Sequence, residues 1–130
     1  MKITKFEDLK VWQLAREIVN NIYKITNKKR FKYYELNSQI RRAAISIMSN
    51  IAEGFNRFSN REFVHFLNIS ISSAVEVKSQ LYIAIDQNYI SETEFNNISD
   101  KLDECTKMCS GLIKHLLKYP GNKPSEHLNT

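Results

Sequence analysis

Residues 39–54 read QIRRAAISIMSNIAEG, and this stretch decides the fold. An α-helix turns about 100° per residue, so apolar residues three and four apart fall on one stripe. Such a stripe is typical of a helix that packs against other helices. We therefore predict a core helix from about Tyr34 to Phe55, whose stripe comprises Leu36, Ile40, Ala43, Ala44, Ile47 and Ile51.

Further apolar residues on this helix widen the stripe to roughly 200°, whereas a bundle helix buries little more than about 100°. Arg41 lies inside this arc, and a guanidinium there needs water or a carboxylate, for which Glu76 is a candidate partner, either within the chain or across an interface. The excess surface indicates either a deeply packed central helix under long loops or contact with another subunit. The joints are short, so we favour a subunit interface made by Arg41, Ile45, Met48, Ala52, Phe55 and Glu76.

Three more segments flank this helix. The first, from about Glu7 to Lys29, repeats apolar residues at spacings of three and four. The other two begin at Ser59 and Ser91, and each serine is followed three residues later by glutamate, which predicts a capping box. Four helices with short joints predict an all-α, antiparallel up-and-down four-helix bundle over residues 1–118. Residues 119–130 are expected to form a mobile C-terminal tail.

The composition agrees with this fold. The chain has 130 residues, 42% hydrophobic and 25% charged, with 3 glycines and 2 prolines. Both prolines lie in the tail, as expected for a helical domain. We see neither a signal peptide nor a stretch that could span a membrane, and Cys105 and Cys109 are expected to be buried thiols. We therefore expect a cytoplasmic protein with no membrane partner.

Basic residues suggest a nucleic-acid partner, although a net charge of +5 serves solubility equally well. Some of them follow the first helix, where the helix dipole also favours cations. Tyr33 and Tyr34 come next and could stack on bases. The candidate nucleic-acid-binding residues are Lys24, Lys28, Lys29, Arg30, Lys32, Arg41, Arg42, Arg57 and Arg61.

Catalytic patterns are weak. Glu62 and His65 form one Glu-x-x-His unit, but di-iron bundles need two such units and two further glutamates. Cys105 and Cys109 lack further ligands at metal-binding spacing, and there is no glycine-rich phosphate loop. We predict no enzyme activity, no cofactor and no metal.

The block Gln39–Gly54, with Trp12, Arg57, Ser73 and Glu76, resembles a small bacterial four-helix-bundle family. Its members are encoded in intervening sequences of 23S ribosomal RNA, and the superfamily includes the accessory protein of diversity-generating retroelements. The resemblance covers about Phe6 to Leu117. It implies a homopentamer arranged as a barrel, and a positive surface that in the retroelement branch binds nucleic acid and a reverse transcriptase. Five chains at +5 each would carry about +25.

Three functions remain as alternatives. The first is a non-enzymatic oligomeric adaptor or scaffold that binds RNA or DNA, beside a reverse transcriptase or another protein. The second is a structural or protein-binding ring with no nucleic-acid role. The third is a small metal-dependent or RNA-cleaving enzyme.

Overall fold

The computed structural model describes residues 1–31, 34–126 and 128–129, with the backbone but not the side chain of Tyr34. Helix α1 spans Lys10–Thr26, α2 spans Tyr34–Phe55, α3 spans Asn60–Asp86 and α4 spans Glu92–Leu116. Consecutive helices pack on each other and α4 also packs on α1, so the chain runs up and down around one core. This arrangement confirms the predicted four-helix bundle. Among the described residues, no helix is long and apolar enough to cross a membrane.

Helix α2 contributes its predicted stripe to the core. Ile40, Ala44, Ile47 and Ile51 are completely buried, and Ala43 is nearly so. The facing helices supply side chains of similar size that are also inaccessible to solvent. These include Ile18, Ile22, Phe63, Leu67, Val77, Leu81, Ile98, Leu102 and Leu116. Burying aliphatic and aromatic side chains of this kind is worth about 1.5–3 kcal/mol each before the entropy of ordering them is counted, so this core dominates stability.

Gly54 lies in the last turn of α2, where that helix comes close to α3. A Cβ atom built on Gly54 would lie 2.7 Å from Cδ1 of Phe63 and 2.7 Å from Cβ of Phe66. Carbon atoms in contact are normally about 3.5–4.0 Å apart, so only glycine allows this approach.

The helix starts differ from one another in their caps. At α4, the Glu94 N–H donates to the Ser91 hydroxyl and the Ser91 N–H donates to the Glu94 carboxylate, so the predicted capping box is complete. At α3, the Glu62 N–H donates to the Ser59 hydroxyl, but the Glu62 carboxylate accepts from that hydroxyl instead of the backbone. Only half of the predicted box is therefore formed at α3.

Helix α1 is shorter than predicted. A separate 3₁₀ turn occupies Phe6–Asp8, and Leu9 is extended, so the α-helix begins only at Lys10. At the other end, the Thr26 hydroxyl donates to the Ile22 carbonyl, and the helix stops there.

The C-terminal segment folds back onto the bundle. The Asn60 N–H donates to the Asn122 carbonyl at 2.7 Å, and the Asn60 side-chain amide donates to the Tyr119 carbonyl at 2.8 Å. Further along, the Ile3 N–H donates to the carbonyl of Leu128, whose side chain is buried. Mobility of this segment stays a prediction, and the sequence did not predict these contacts.

Candidate nucleic-acid and oligomer surfaces

The basic residues that follow α1 lie beside the start of α4. Lys28 forms an ion pair with Glu94, and the Arg30 guanidinium donates to the same carboxylate at 3.1 Å. Both cations thus tie the end of α1 to α4. Lys32 and Tyr33 lie outside the described residues, as does the Tyr34 side chain, so their predicted roles stay predictions.

The Glu94 carboxylate is held in its charged form. Partial burial acts against the charge, but hydrogen bonds from Lys28 and from the backbone and hydroxyl of Ser91 outweigh it and lower the pKa of Glu94 to about 2. The Glu94 side chain therefore caps α4 and also holds Lys28 and Arg30. These basic residues after α1 are called the basic joint below. The sequence predicts the cap but not the ion pairs, because nothing local to Glu94 points to Lys28 or Arg30.

Four other candidate cations are free to interact with a ligand. Within the described residues, Lys24, Lys29, Arg42 and Arg61 are exposed and have neither an ion pair nor a side-chain hydrogen bond. Lys24 lines a cleft of about 640 Å³ between α1 and α4. These four side chains are the candidates best able to bind phosphate.

Arg41 has a different partner from the one predicted. Its Nε donates to the Thr26 hydroxyl at 2.8 Å, its Nη2 donates to Oδ1 of Asn27 at 2.7 Å, and its guanidinium lies over the Tyr23 ring at 4.4 Å. Arg41 thus joins α2 to the end of α1. Glu76 lines a groove between α2 and α3 and does not pair with Arg41 among the described residues of one chain, so a pair across a subunit interface stays a prediction.

The α2–α3 groove is polar. Arg42 and Glu76 both line it, and across it the hydroxyls of Ser46 and Ser73 are hydrogen-bonded at 2.8 Å. Glu76 also accepts from Gln80 at 3.4 Å. Arg42 and Glu76 therefore line the same groove.

Arg57 and Arg61 lie at the opposite end of α2. Arg57 pairs with Glu53 at 2.8 Å and lies over the Phe66 ring at 4.6 Å, whereas Arg61 is exposed in the first turn of α3. At 1.5 Å per residue, Arg42 lies about 20 Å along α2 from Phe55, and Arg57 follows two residues beyond that end. The candidate basic residues therefore form two separate groups at the two ends of the bundle.

The candidate oligomer residues on α2 are less exposed than predicted. Ile45 is 40% exposed, Met48 and Ala52 are half-buried, and Phe55 is only 4% exposed. Phe55 stacks edge-on against Phe63 at 6.0 Å, which places it in the core of its own chain. The excess apolar surface is therefore centred on Ile45, and Phe55 does not belong to it.

The weak catalytic patterns have structural roles. Glu62 serves the α3 cap, and the exposed His65 ring packs edge-on against Phe66. Cys105 and Cys109 are buried, and their mutual hydrogen bond, together with burial, raises the pKa of Cys109, which keeps that thiol neutral. In the described part of the chain, no three His, Cys, Asp or Glu residues are grouped to hold a metal.

The fold is similar to that of a known protein. The chain is similar to a crystal structure of a protein of unknown function from the S23 ribosomal protein family of Bacteroides thetaiotaomicron, with a TM-score of 0.73 and 27% identity. The similarity covers 80% of this chain and 98% of that one. No curated protein sequence matches significantly. The family model for the 23S rRNA-intervening sequence protein matches residues 7–111, so this chain belongs to that family.

Proposed function

We propose that this protein is a non-enzymatic, oligomeric four-helix bundle of the cytoplasm that binds RNA or DNA as an adaptor or scaffold. The observation that carries the proposal is that Lys24, Lys29, Arg42 and Arg61 are exposed and, within the described residues, form no ion pair. Cations of this kind bind phosphate by displacing its counterions, largely without regard to base sequence. Buried free thiols at Cys105 and Cys109 support a reducing compartment.

Self-association is the second part of the proposal. Ile45 exposes 40% of its surface on α2, and Tyr23 exposes 37% on the neighbouring helix. Exposed apolar side chains of this kind favour burial against another subunit. A ring of five copies would repeat the basic groups around its circumference, and several weak phosphate contacts would then add up to useful affinity.

A salt titration tests nucleic-acid binding. Purified protein is mixed with single-stranded and double-stranded RNA and DNA, and affinity is measured from about 50 to 200 mM salt. Binding through several cations predicts a steep linear fall of log K with log salt concentration, by about 0.7–0.9 for each phosphate contacted. Absence of binding to every one of these nucleic acids at low salt refutes the proposal. An RNA-cleavage assay and metal analysis on the same preparation test its non-enzymatic part.

A second function, a protein-binding or structural ring, is favoured by a separate observation. Lys28, Arg30 and Arg41 all bind other parts of their own chain, so much of the basic joint serves the fold. Such a ring would hold a reverse transcriptase or another protein without using nucleic acid. A partner that stays bound in a pull-down after nuclease treatment, from a protein that binds no oligonucleotide, would favour this function.

A further inference from the structure

One end of the bundle exposes aromatic rings among cations. Phe58 lies in the α2–α3 joint and is 79% exposed, the highest value for any aromatic side chain in the described residues. Of the two nearby arginines, Arg57 is partly exposed and Arg61 is exposed. Hydrogen bonds from Asn60 and Arg61 to the carbonyls of residues 119, 120 and 122 bring the C-terminal segment to the same end.

The C-terminal segment also carries exposed aromatic and basic side chains. Tyr119 is 43% exposed and packs edge-on against His115, and Lys118 and Lys123 are exposed on either side. We define the Phe58 surface as Arg57, Phe58, Arg61, Lys118, Tyr119 and Lys123. Within the described residues, Arg61, Lys118 and Lys123 form no ion pair, whereas Lys28 and Arg30 at the other end are already held by Glu94.

We propose that the Phe58 surface binds single-stranded nucleic acid, with bases stacking on Phe58 and Tyr119 and phosphates contacting the surrounding cations. The inference rests on the proposed function and locates its binding site away from the basic joint. Sequence-tolerant single-strand binding uses this combination of exposed aromatic rings and positive charge. Two carboxylates near the joint have partners, since Glu53 pairs with Arg57 and Glu62 contacts the Ser59 hydroxyl.

The joint is also well held, as a stacking platform requires. The Arg57 N–H donates to the Gly54 carbonyl at 3.1 Å, and the Arg57 guanidinium lies over Phe66. Two residues later, Ser59 caps α3, and Asn60 is hydrogen-bonded to the C-terminal segment through both its backbone and side chain. The backbone that carries Phe58 is therefore fixed before binding, so binding costs little conformational entropy.

The surroundings of Phe58 favour nucleic acid over protein as its binding partner. A protein hot spot is a buried aromatic anchor within an apolar, well-packed patch. In the joint, Phe58 has the exposed Asn56, the partly exposed Arg57 and the half-buried Ser59 as its chain neighbours. A ring whose chain neighbours are polar and basic suits a base, whose face is apolar and whose attached phosphate is charged.

Phe58→Ala is the central variant, tested with oligo(U) and oligo(dT) of about twelve nucleotides. Loss of one stacked base should weaken single-strand binding by about 5- to 150-fold, with little effect on a duplex, whose bases are already stacked. Tyr82→Ala is the matched control, because Tyr82 is an exposed aromatic residue near the other end of α3 and should bind like the wild type. Arg61→Gln should lower the salt slope by about 0.7.

Phe58→Trp supplies a direct readout. Trp12 is the one native tryptophan and is buried, so an exposed tryptophan at position 58 would dominate the change in fluorescence on binding. We expect retained affinity and quenching by the oligonucleotide. Wild-type binding that Phe58→Ala leaves unchanged overturns the inference while the proposed function stands. A wild-type protein that binds no nucleic acid refutes both. The Phe58→Ala protein could also keep oligonucleotide binding and lose a protein partner that resists nuclease treatment. That result would show that the Phe58 surface binds protein, and it would overturn the inference.

Discussion

Replacing Gly54 by alanine tests the close approach of α2 and α3. The added Cβ would lie 2.7 Å from two carbon atoms, one in the Phe63 ring and one the Cβ of Phe66. The Phe63 side chain is completely buried, and closely packed cores leave few voids for a ring to move into. The Cβ of Phe66 is bonded directly to the backbone, so it can retreat only if α3 itself shifts. The substitution must therefore separate the two helices.

Two opposing contributions set the size of the effect. Alanine is favoured over glycine inside a helix by about 1 kcal/mol. Overpacking of a well-packed core typically costs about 1–3 kcal/mol, and two contacts this short place Gly54→Ala near the upper part of that range. We expect the free energy of unfolding to fall by about 1–2 kcal/mol, and the melting temperature by roughly 3–8 °C.

Gly111→Ala is the matched control. Gly111 lies inside α4, is exposed, and has no atom within 4 Å of an added Cβ, so the same change should stabilise the protein by up to about 1 kcal/mol. Urea unfolding of both variants is followed by circular dichroism at one protein concentration, since assembly would tie stability to concentration. If Gly54→Ala unfolds at the same urea concentration as Gly111→Ala, or a higher one, the steric explanation is refuted.

Three further substitutions, one of them with a control variant, test other contacts. Met48→Glu should give monomers or insoluble protein by light scattering, whereas Ser110→Glu, which adds the same charge to the exposed face of α4, should keep the assembly size. Glu94→Gln should cost about 1 kcal/mol at neutral pH. Because the folded-state pKa of Glu94 is about 2 and its ordinary value is 4.5, its contribution is complete above about pH 4.5 and is lost as the pH falls towards 2. The stability gap between wild type and Glu94→Gln should therefore close over that range, and a constant gap contradicts the assignment. Asn60→Ala removes the hydrogen bond to the Tyr119 carbonyl and should cost about 1–2 kcal/mol. It should also speed tryptic cleavage of the C-terminal segment, and unchanged cleavage would mean that other contacts hold it.

The core of α2 could be predicted because its information is local. Ile40, Ala44, Ile47 and Ile51 share one stripe by helical geometry alone, whatever the rest of the chain does. The cap at Ser91 is local in the same way, since its two hydrogen bonds join residues three apart. Features of this kind depend on spacing along the chain, which the sequence contains directly.

The outcomes at Arg41 and Phe55 have a different origin. Periodicity shows which residues share a face, but not which neighbouring helix that face meets. Arg41 points towards α1, where a hydroxyl, an amide and an aromatic ring satisfy it, and not towards Glu76. Phe55 lies at the edge of the core stripe, and the close approach of α3 covers it with Phe63. Both outcomes depend on how the helices are ordered around the bundle.

The correction at Phe55 changes how the assembly should be tested. Met48 is half-buried within its own chain, so a glutamate there could harm folding as well as assembly. Ile45 is 40% exposed, and a charge there is compatible with a folded monomer. A stable interface buries about 800 Å² on each partner, so Ile45 must be joined by other exposed apolar residues such as Tyr23. Ile45→Glu should therefore release monomers that keep the circular dichroism of the wild type and whose melting temperature no longer depends on protein concentration. An Ile45→Glu protein that keeps the wild-type assembly size shows that the exposed face of α2 is not the subunit interface.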